Sequence, residues 1–216
     1  MSFQVMMQQL LEGMGRSLSI FALTLLFSLP LGLIVSFGRM SRNVVLRTIV
    51  KIYISVMRGT PLMLQLLAVY FGPFYLFGAK IGGSYRFTAI IIAFSVNYAA
   101  YFAEIYRSGI ESMPPGQYEA AQLLGYTKSG TFVRIIMPQV IKRILPSITN
   151  EVITLIKDTS LAFSLAYAEM FTIAKQIAAK ETSFMPFIAA AVFYYIFNAL
   201  VAFVMERMEK SMAYYT

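Results

Sequence analysis

The chain has 216 residues, of which 58% are hydrophobic and only 13% are charged, whereas an average globular chain carries about a quarter charged residues. This composition excludes an ordinary soluble fold, and the absence of cysteine and histidine excludes disulfides, thiolate metal sites and histidine-dependent acid–base chemistry. The net charge of +8 is typical of a membrane protein with basic cytoplasmic loops, so we predict no nucleic acid partner.

Apolar runs long enough to cross a membrane organise the chain, since a helix needs about 20 such residues to span the hydrocarbon core. The sequence predicts five spans in one all-α membrane domain over residues 1–216, in chain order about 17–38, 52–77, 87–106, 151–173 and 184–205. The second run is interrupted by Arg-Gly-Thr-Pro at 58–61. We interpret this as the start of a short helix, with Thr60 as N-cap and Pro61 first in the helix, rather than as a broken transporter helix.

The distribution of basic residues orients the spans. The loop after the first span, the central loop at 107–146 and the C-terminal tail together carry eleven lysines and arginines, and the loops on the other side carry five. Because cytoplasmic loops are the more basic ones, the N-terminus is predicted outside and the C-terminus in the cytoplasm.

Two polar stripes are predicted on the spans. Asn97, Tyr101 and Glu104 share one face of the third span at positions i, i+4 and i+7. They either line a substrate cavity or bond between helices, and Glu104 also has Arg107 and Arg58 as candidate partners.

The second stripe consists of Glu151, Thr154 and Asp158 on the fourth span. Glu151 either ends the span at the interface or contacts substrate, and it is our best single candidate for substrate contact. Carboxylates in a shared cavity would favour a cationic substrate, although Lys157 lies beside this stripe and would offset part of its charge.

The central loop has a helix signature. Ser112 and two prolines precede a stretch of helix formers, and Gly125 stands where such a helix would end. An amphipathic segment follows and is predicted to lie along the membrane face, broken at Pro138 and Pro146. From the residues alone, a docking helix and a solvated loop with an interfacial helix remain equally open.

The loop resembles the EAA motif of ABC importer permeases: Glu119-Ala120-Ala121, three residues, Gly125, nine residues, Ile135, one residue, and Met-Pro. Stretches at 58–65, 98–121 and 155–170 look like the branch of that family that imports polar amino acids. The family usually has leucine where Met137 stands, which is a volume-conserving change.

The resemblance implies a type I ABC importer-like fold and a coupling helix that docks on a separate ATPase subunit. Glu119, Ala120, Ala121 and Gly125 would form that interface. It further implies two ATPase copies that bind ATP and Mg, a second permease, expected as a homodimer, and an extracytoplasmic amino acid-binding protein. The chain itself would have no catalytic residue, metal or cofactor and would lie in the cell membrane of a prokaryote.

The expected substrate is a polar amino acid, and the carboxylate stripes favour arginine, lysine or histidine. The alternative is an ion-coupled secondary transporter of a small polar solute, which often shows an inverted repeat that this sequence lacks. The glycine spacing at 125–131 is similar to a nucleotide-binding P-loop, but Thr131 stands where that loop needs lysine. This stretch is therefore predicted to be a helix cap and a turn.

Overall fold

The computed structural model describes residues 1–212, so the predicted domain 1–216 extends four residues beyond the described part. Within that part the chain forms α-helices and no β-strand, which confirms the all-α fold class. The α-helices are α1 Phe3–Arg39, α2 Val44–Gly59, α3 Leu62–Phe77, α4 Gly83–Glu111, α5 Pro115–Leu123, α6 Lys128–Thr131, α7 Met137–Asp158, α8 Met170–Glu181 and α9 Met185–Ser211. A π-helical turn, Phe132–Ile136, precedes α7, and a 3₁₀ helix, Thr159–Leu165, follows it.

The core is built around α4, which packs along α1. The α1 side of this contact is a buried stripe of small residues, among them Thr24, Ser28, Gly32 and Ser36. Small residues let two helix backbones approach closely inside a membrane, where packing rather than the hydrophobic effect drives association. This close contact makes α4 the most buried long helix and the frame on which the other elements are placed.

By length and composition, α1, α4 and α9 are long and apolar enough to cross a membrane singly, and the pair α2 and α3 would make a fourth crossing if it counts as one span. These helices overlap the first, third, fifth and second predicted spans. The predicted span at 151–173 is not one helix in the structure. The exact number of crossings and the orientation of the chain therefore stay predictions.

The second predicted span is sharply bent. The axes of α2 and α3 meet at 111° across Thr60 and Pro61. Thr60 is extended, as the residue before a proline usually is, and Pro61 cannot continue the preceding helix because it has no N–H. The expected helix start was therefore nearly right, although Thr60 ends α2 and Pro61 itself caps α3.

The region of the fourth predicted span contains two differences from expectation. Pro146 lies inside a continuous α7 and does not break it, so the helix runs from the central loop to Asp158. The break falls later, where Ala166 adopts a left-handed backbone with φ of +51°. Glu169 then caps the start of α8.

The apolar side of the segment around Pro138 faces the protein. Ile136, Val140 and Ile144 pack with Met113 against the end of α4. The end of α4 thus offers an apolar partner that covers these residues, and the position of the segment along the membrane face stays a prediction.

Candidate functional site

A cavity of about 280 Å³ lies where the ends of α2 and α4 meet α7. Three helices supply its walls, and α5, the predicted coupling helix, begins three residues after Ser112 at its rim. The lining residues are Arg58, Tyr101, Glu104, Ile105, Ser108, Gly109, Ser112, Arg143, Ile144, Ser147 and Glu151.

The α4 wall carries a chain of charges. Arg107 forms ion pairs with Glu104, three residues earlier, and with Glu111, four residues later, as opposite charges at this helical spacing do. The guanidinium of Arg58 stacks over the ring of Tyr101, with its central carbon 5.3 Å from the ring centre. The carboxylate of Glu104 is therefore largely neutralised by its own helix.

The α7 wall carries Glu151 and Arg143. Arg143 donates hydrogen bonds to the carbonyl oxygen of Ser112, at 2.6 Å, and to its hydroxyl, at 3.0 Å. Glu151 is half-buried, and no cationic group among the described residues lies within 4 Å of its carboxylate. Glu151 is thus the cavity carboxylate without an ion-pair partner among the described residues.

The structure brings together three of the six predicted substrate residues, since Tyr101, Glu104 and Glu151 line the cavity. Asn97 is buried and donates hydrogen bonds to the carbonyl of Met57, at 3.0 Å, and to the side chain of Gln65, at 2.9 Å. Asn97 therefore ties α4 to the α2–α3 bend.

Asp158 and Thr154 also lie outside this cavity. Asp158 accepts a hydrogen bond of 2.7 Å from the buried Tyr98. Thr154 is exposed, and its hydroxyl donates to the carbonyl of Asn150 in its own helix at 2.9 Å. A substrate role for these residues stays a prediction.

The helix at the EAA stretch has the expected bounds. It ends in a Schellman cap, in which Gly125 takes φ of +79° and the N–H of Tyr126 donates to the carbonyl of Ala121 at 3.0 Å. Glu119 and Ala120 are exposed, whereas Ala121 is buried. Three of the four predicted interface residues, Glu119, Ala120 and Gly125, are therefore open to a partner, and Ala121 instead packs inward.

Sequence reasoning missed two groups of residues. Leu123 and Leu124 end the helix with side chains that are 89% and 76% exposed. The sequence signal was two adjacent leucines just before a capping glycine. A short helix that packs one face on the protein leaves its other face exposed, and leucines there form an exposed apolar surface. Arg143 and Ser112, 31 positions apart, were missed at the cavity because no local pattern links them.

No group of three or more acidic side chains in residues 1–212 is arranged to hold a metal ion. The stretch at 125–131 begins as the expected helix cap at Gly125, but its second half is the short helix α6, which Thr127 caps through its hydroxyl.

Residues 28–214 match the family model described as the binding-protein-dependent transport system inner membrane component. The chain belongs to this family. The permease is 37% identical over 205 residues to the L-cystine transport system permease TcyB of Bacillus subtilis, covering 94% of this chain and 86% of that one. It is 35% identical over 204 residues to the arginine transport system permease ArtQ of Bacillus subtilis, covering 94% and 92%.

A solved structure is similar over nearly the whole permease. It is described as an amino acid ABC transporter with histidines, with 32% identity and a TM-score of 0.86, covering 98% of this chain and 99% of that chain. Together with the relatives, it shows that the permease is the membrane subunit of an amino acid ABC importer of the polar amino acid branch. The ATPase activity resides in a separate subunit, and the ion-coupled alternative is wrong.

Proposed function

We propose that this permease imports basic amino acids and that Glu151 contacts their cationic side chain. The observation that supports this assignment is the free carboxylate of Glu151 in the cavity. A guanidinium or ammonium group placed there would form a charge-assisted hydrogen bond, which is about twice as strong as a neutral one.

The other acidic residues contribute less because each already has a partner. Glu104 pairs with Arg107, and Asp158 accepts the hydroxyl of Tyr98. Arg58 lines the same cavity and suits the carboxylate that every amino acid carries. The cavity thus offers one anchor common to all amino acids and one that selects a positive side chain.

A complete path for the substrate needs a second permease. The cavity has walls from α2, α4 and α7 only, so the remaining walls come from another chain. A second copy related by two-fold symmetry is the simplest source of these walls, because most oligomers of soluble proteins are symmetric homo-oligomers and one kind of chain then supplies both halves of the path. In this assembly an amino acid-binding protein delivers the substrate outside, where the N-terminus of the permease lies.

The coupling helix α5 docks on the ATPase in the cytoplasm, with one ATPase for each permease. The ATPase pair binds ATP and Mg. Leu123 and Leu124 provide an apolar surface, and Glu119 provides a negative charge for a basic residue of the partner. Because α5 is joined to the rim of the cavity through Ser112, a rigid movement of α5 reaches the cavity walls directly.

The assignment is tested by replacing Glu151 with glutamine in the assembled transporter, reconstituted in proteoliposomes with its ATPase and binding protein. Import of arginine should lose about 10- to 100-fold in apparent affinity, because a hydrogen bond to a charged group contributes about 1.5–3 kcal/mol. Import of glutamine, if measurable, should change little. Glu206→Gln is the matched control, since it removes the same charge from an exposed site on α9.

Equal losses for arginine and glutamine in Glu151→Gln would show that Glu151 has a structural role. A wild-type transporter that imports only neutral amino acids would refute the proposed specificity.

A further inference from the structure

The carboxylate of Glu169 is completely buried, although it lies far from the cavity. It caps α8 by accepting hydrogen bonds from the backbone N–H groups of Phe171, at 2.8 Å, and Thr172, at 2.7 Å, and from the Thr172 hydroxyl at 2.8 Å. Burying a charge costs free energy unless the charge is fully hydrogen-bonded. The capping bonds at the start of α8 therefore offset part of the cost of burying this carboxylate.

Glu169 also bonds to two other helices. It accepts hydrogen bonds from the hydroxyl of Ser17 on α1, at 3.4 Å, and from that of Tyr194 on α9, at 3.2 Å. Capping α8 does not require these bonds, because the two N–H groups are already satisfied. The carboxylate therefore joins α1, α8 and α9 at one point.

Two arginines hold the backbone just before this point. Arg16 on α1 donates to the carbonyl of Ala168 at 2.8 Å, and Arg86 on α4 donates to the carbonyl of Ala166 at 3.2 Å. These carbonyls belong to non-helical residues that would otherwise lack partners. The segment 166–169 is thus fixed from three different helices.

The 3₁₀ helix on the other side of Ala166 buries Ala162 and Leu165 in the main core, and its side-chain hydroxyls bond within the segment itself. Three of its hydroxyls, those of Thr159, Ser160 and Ser164, donate to the carbonyls three residues earlier, at 2.7 to 2.8 Å. These bonds lie within the chain segment itself and compete with regular helix geometry. The hydrogen-bond geometry of a 3₁₀ helix is poorer than that of an α-helix, so this stretch is the weaker link between α7 and the fixed segment and the place where a hinge would lie.

The fixed segment and the cavity contact α4 at two positions that are far apart along this helix. Arg86 and Glu104 are 18 residues apart on one helix, which is about 27 Å at 1.5 Å per residue. The fixed segment and the cavity therefore lie at opposite ends of the membrane-spanning part. Since α7 carries Glu151 and continues into the 3₁₀ helix, movement of the cavity wall is transmitted to the hinge.

We propose that Glu169 is a positioning residue that anchors the far side of this hinge. By tying α8 to α1 and α9, it makes movement of α7 turn about the 3₁₀ helix instead of dragging α8 along. The energy of ATP hydrolysis then moves α7 and rearranges the substrate cavity. If the bonds of Glu169 to α1 and α9 were lost, hydrolysis would continue but less substrate would be transported for each ATP.

The double variant Ser17→Ala with Tyr194→Phe tests the anchor. It removes the bonds that Glu169 accepts from Ser17 and Tyr194, together with the 3.4 Å bond that the Met170 N–H donates to the Ser17 hydroxyl, and it leaves the bonds by which Glu169 itself caps α8. Glu169→Asp is a second route, since aspartate is a good N-cap but its shorter side chain reaches less far. The matched control is Ser19→Ala with Tyr195→Phe, which makes the same changes at neighbouring exposed positions. All variants are made in the assembled transporter in proteoliposomes with its ATPase and binding protein.

The measurement is the amount of amino acid imported per ATP hydrolysed, with arginine, glutamine and cystine tested in parallel. We expect both test variants, Ser17→Ala/Tyr194→Phe and Glu169→Asp, to keep ATP hydrolysis and to show a ratio about fivefold lower than that of the wild type. The reason is that one hydrogen bond contributes about 1 kcal/mol, which changes a two-state equilibrium by about fivefold. The control should keep the wild-type ratio.

An unchanged ratio in the double variant would overturn the proposal. So would a parallel fall of hydrolysis and transport, because that result indicates a merely structural role. The outcome does not depend on the charge of the substrate, so a wild type that imports only glutamine or cystine refutes the specificity proposed above and leaves this test valid.

Discussion

Replacing Gly32 with alanine probes the contact between α1 and α4. A Cβ atom at this position would lie 2.8 Å from the Cβ of Phe102 and 3.1 Å from the carbonyl oxygen of Ala99. Neither atom is the far end of a flexible side chain, so the two helices must separate to make room. Ordinary contact begins at 3.4 Å, and 3.4 Å less 2.8 Å requires a separation of 0.6 Å.

The energetic effect has two opposing parts. Overpacking a tight contact costs about 1–3 kcal/mol. Alanine also favours a helix over glycine by about 1 kcal/mol. Gly15→Ala on the same helix isolates the second part, because a Cβ there would meet nothing within 4 Å. The difference between the two variants should therefore be about 1–3 kcal/mol, with Gly32→Ala the less stable.

Thermal unfolding of the detergent-solubilised permease, followed by circular dichroism, measures this difference. For a protein of this size each kcal/mol shifts the midpoint by about 2–4 °C. If Gly32→Ala unfolds at the same temperature as Gly15→Ala, the helices are not in the close contact on which the argument depends.

Two further predictions concern the coupling helix and the buried amide. Glu119→Lys should abolish ATPase binding and coupled transport without lowering the unfolding temperature, because losing one partner of an interface charge pair costs about 2–5 kcal/mol of binding. Binding is measured as co-elution of the permease and the ATPase in size-exclusion chromatography. The control Gln117→Lys, on the opposite side of α5, should still co-elute with the ATPase. Asn97→Ala should lower the free energy of unfolding by about 1–3 kcal/mol, because it leaves the Gln65 Oε1 atom without the donor that Asn97 supplies, and it should affect arginine and glutamine import equally. Selective loss of arginine import in Asn97→Ala would instead restore Asn97 as a substrate residue.

Local chemistry made several elements predictable. The helix at Glu119 was recognisable because prolines begin helices and Gly125 can take the left-handed backbone that ends them. The helix start at Pro61 followed from the missing N–H of proline, whereas the sharp bend between α2 and α3 was seen only in the structure. The three clean spans were evident from hydrophobicity, since no water is available in lipid to satisfy an exposed backbone.

Predictions failed where a distant part of the chain decided the outcome. Pro146 stays inside α7, although local rules favour a break. Nothing local indicated that the amphipathic segment around Val140 packs on α4, which ends beside it. The polar stripe on α4 was also divided: Tyr101 and Glu104 line the cavity, whereas Asn97 meets the α2–α3 bend.

The sequence by itself determined that the chain is a helical membrane protein, where its docking helix begins and ends, and which family it resembles, because composition, caps and motif spacing are local properties. Only the tertiary structure decided which charges are neutralised. Glu104, Asp158 and Glu151 look alike in sequence, but Arg107 and Tyr98 occupy the first two and leave the third free. The pair of Glu104 and Arg107 follows from helical spacing within α4, but the contact of Asp158 with Tyr98 depends on the distance between α4 and α7. That distance is set by packing that no short stretch of sequence encodes.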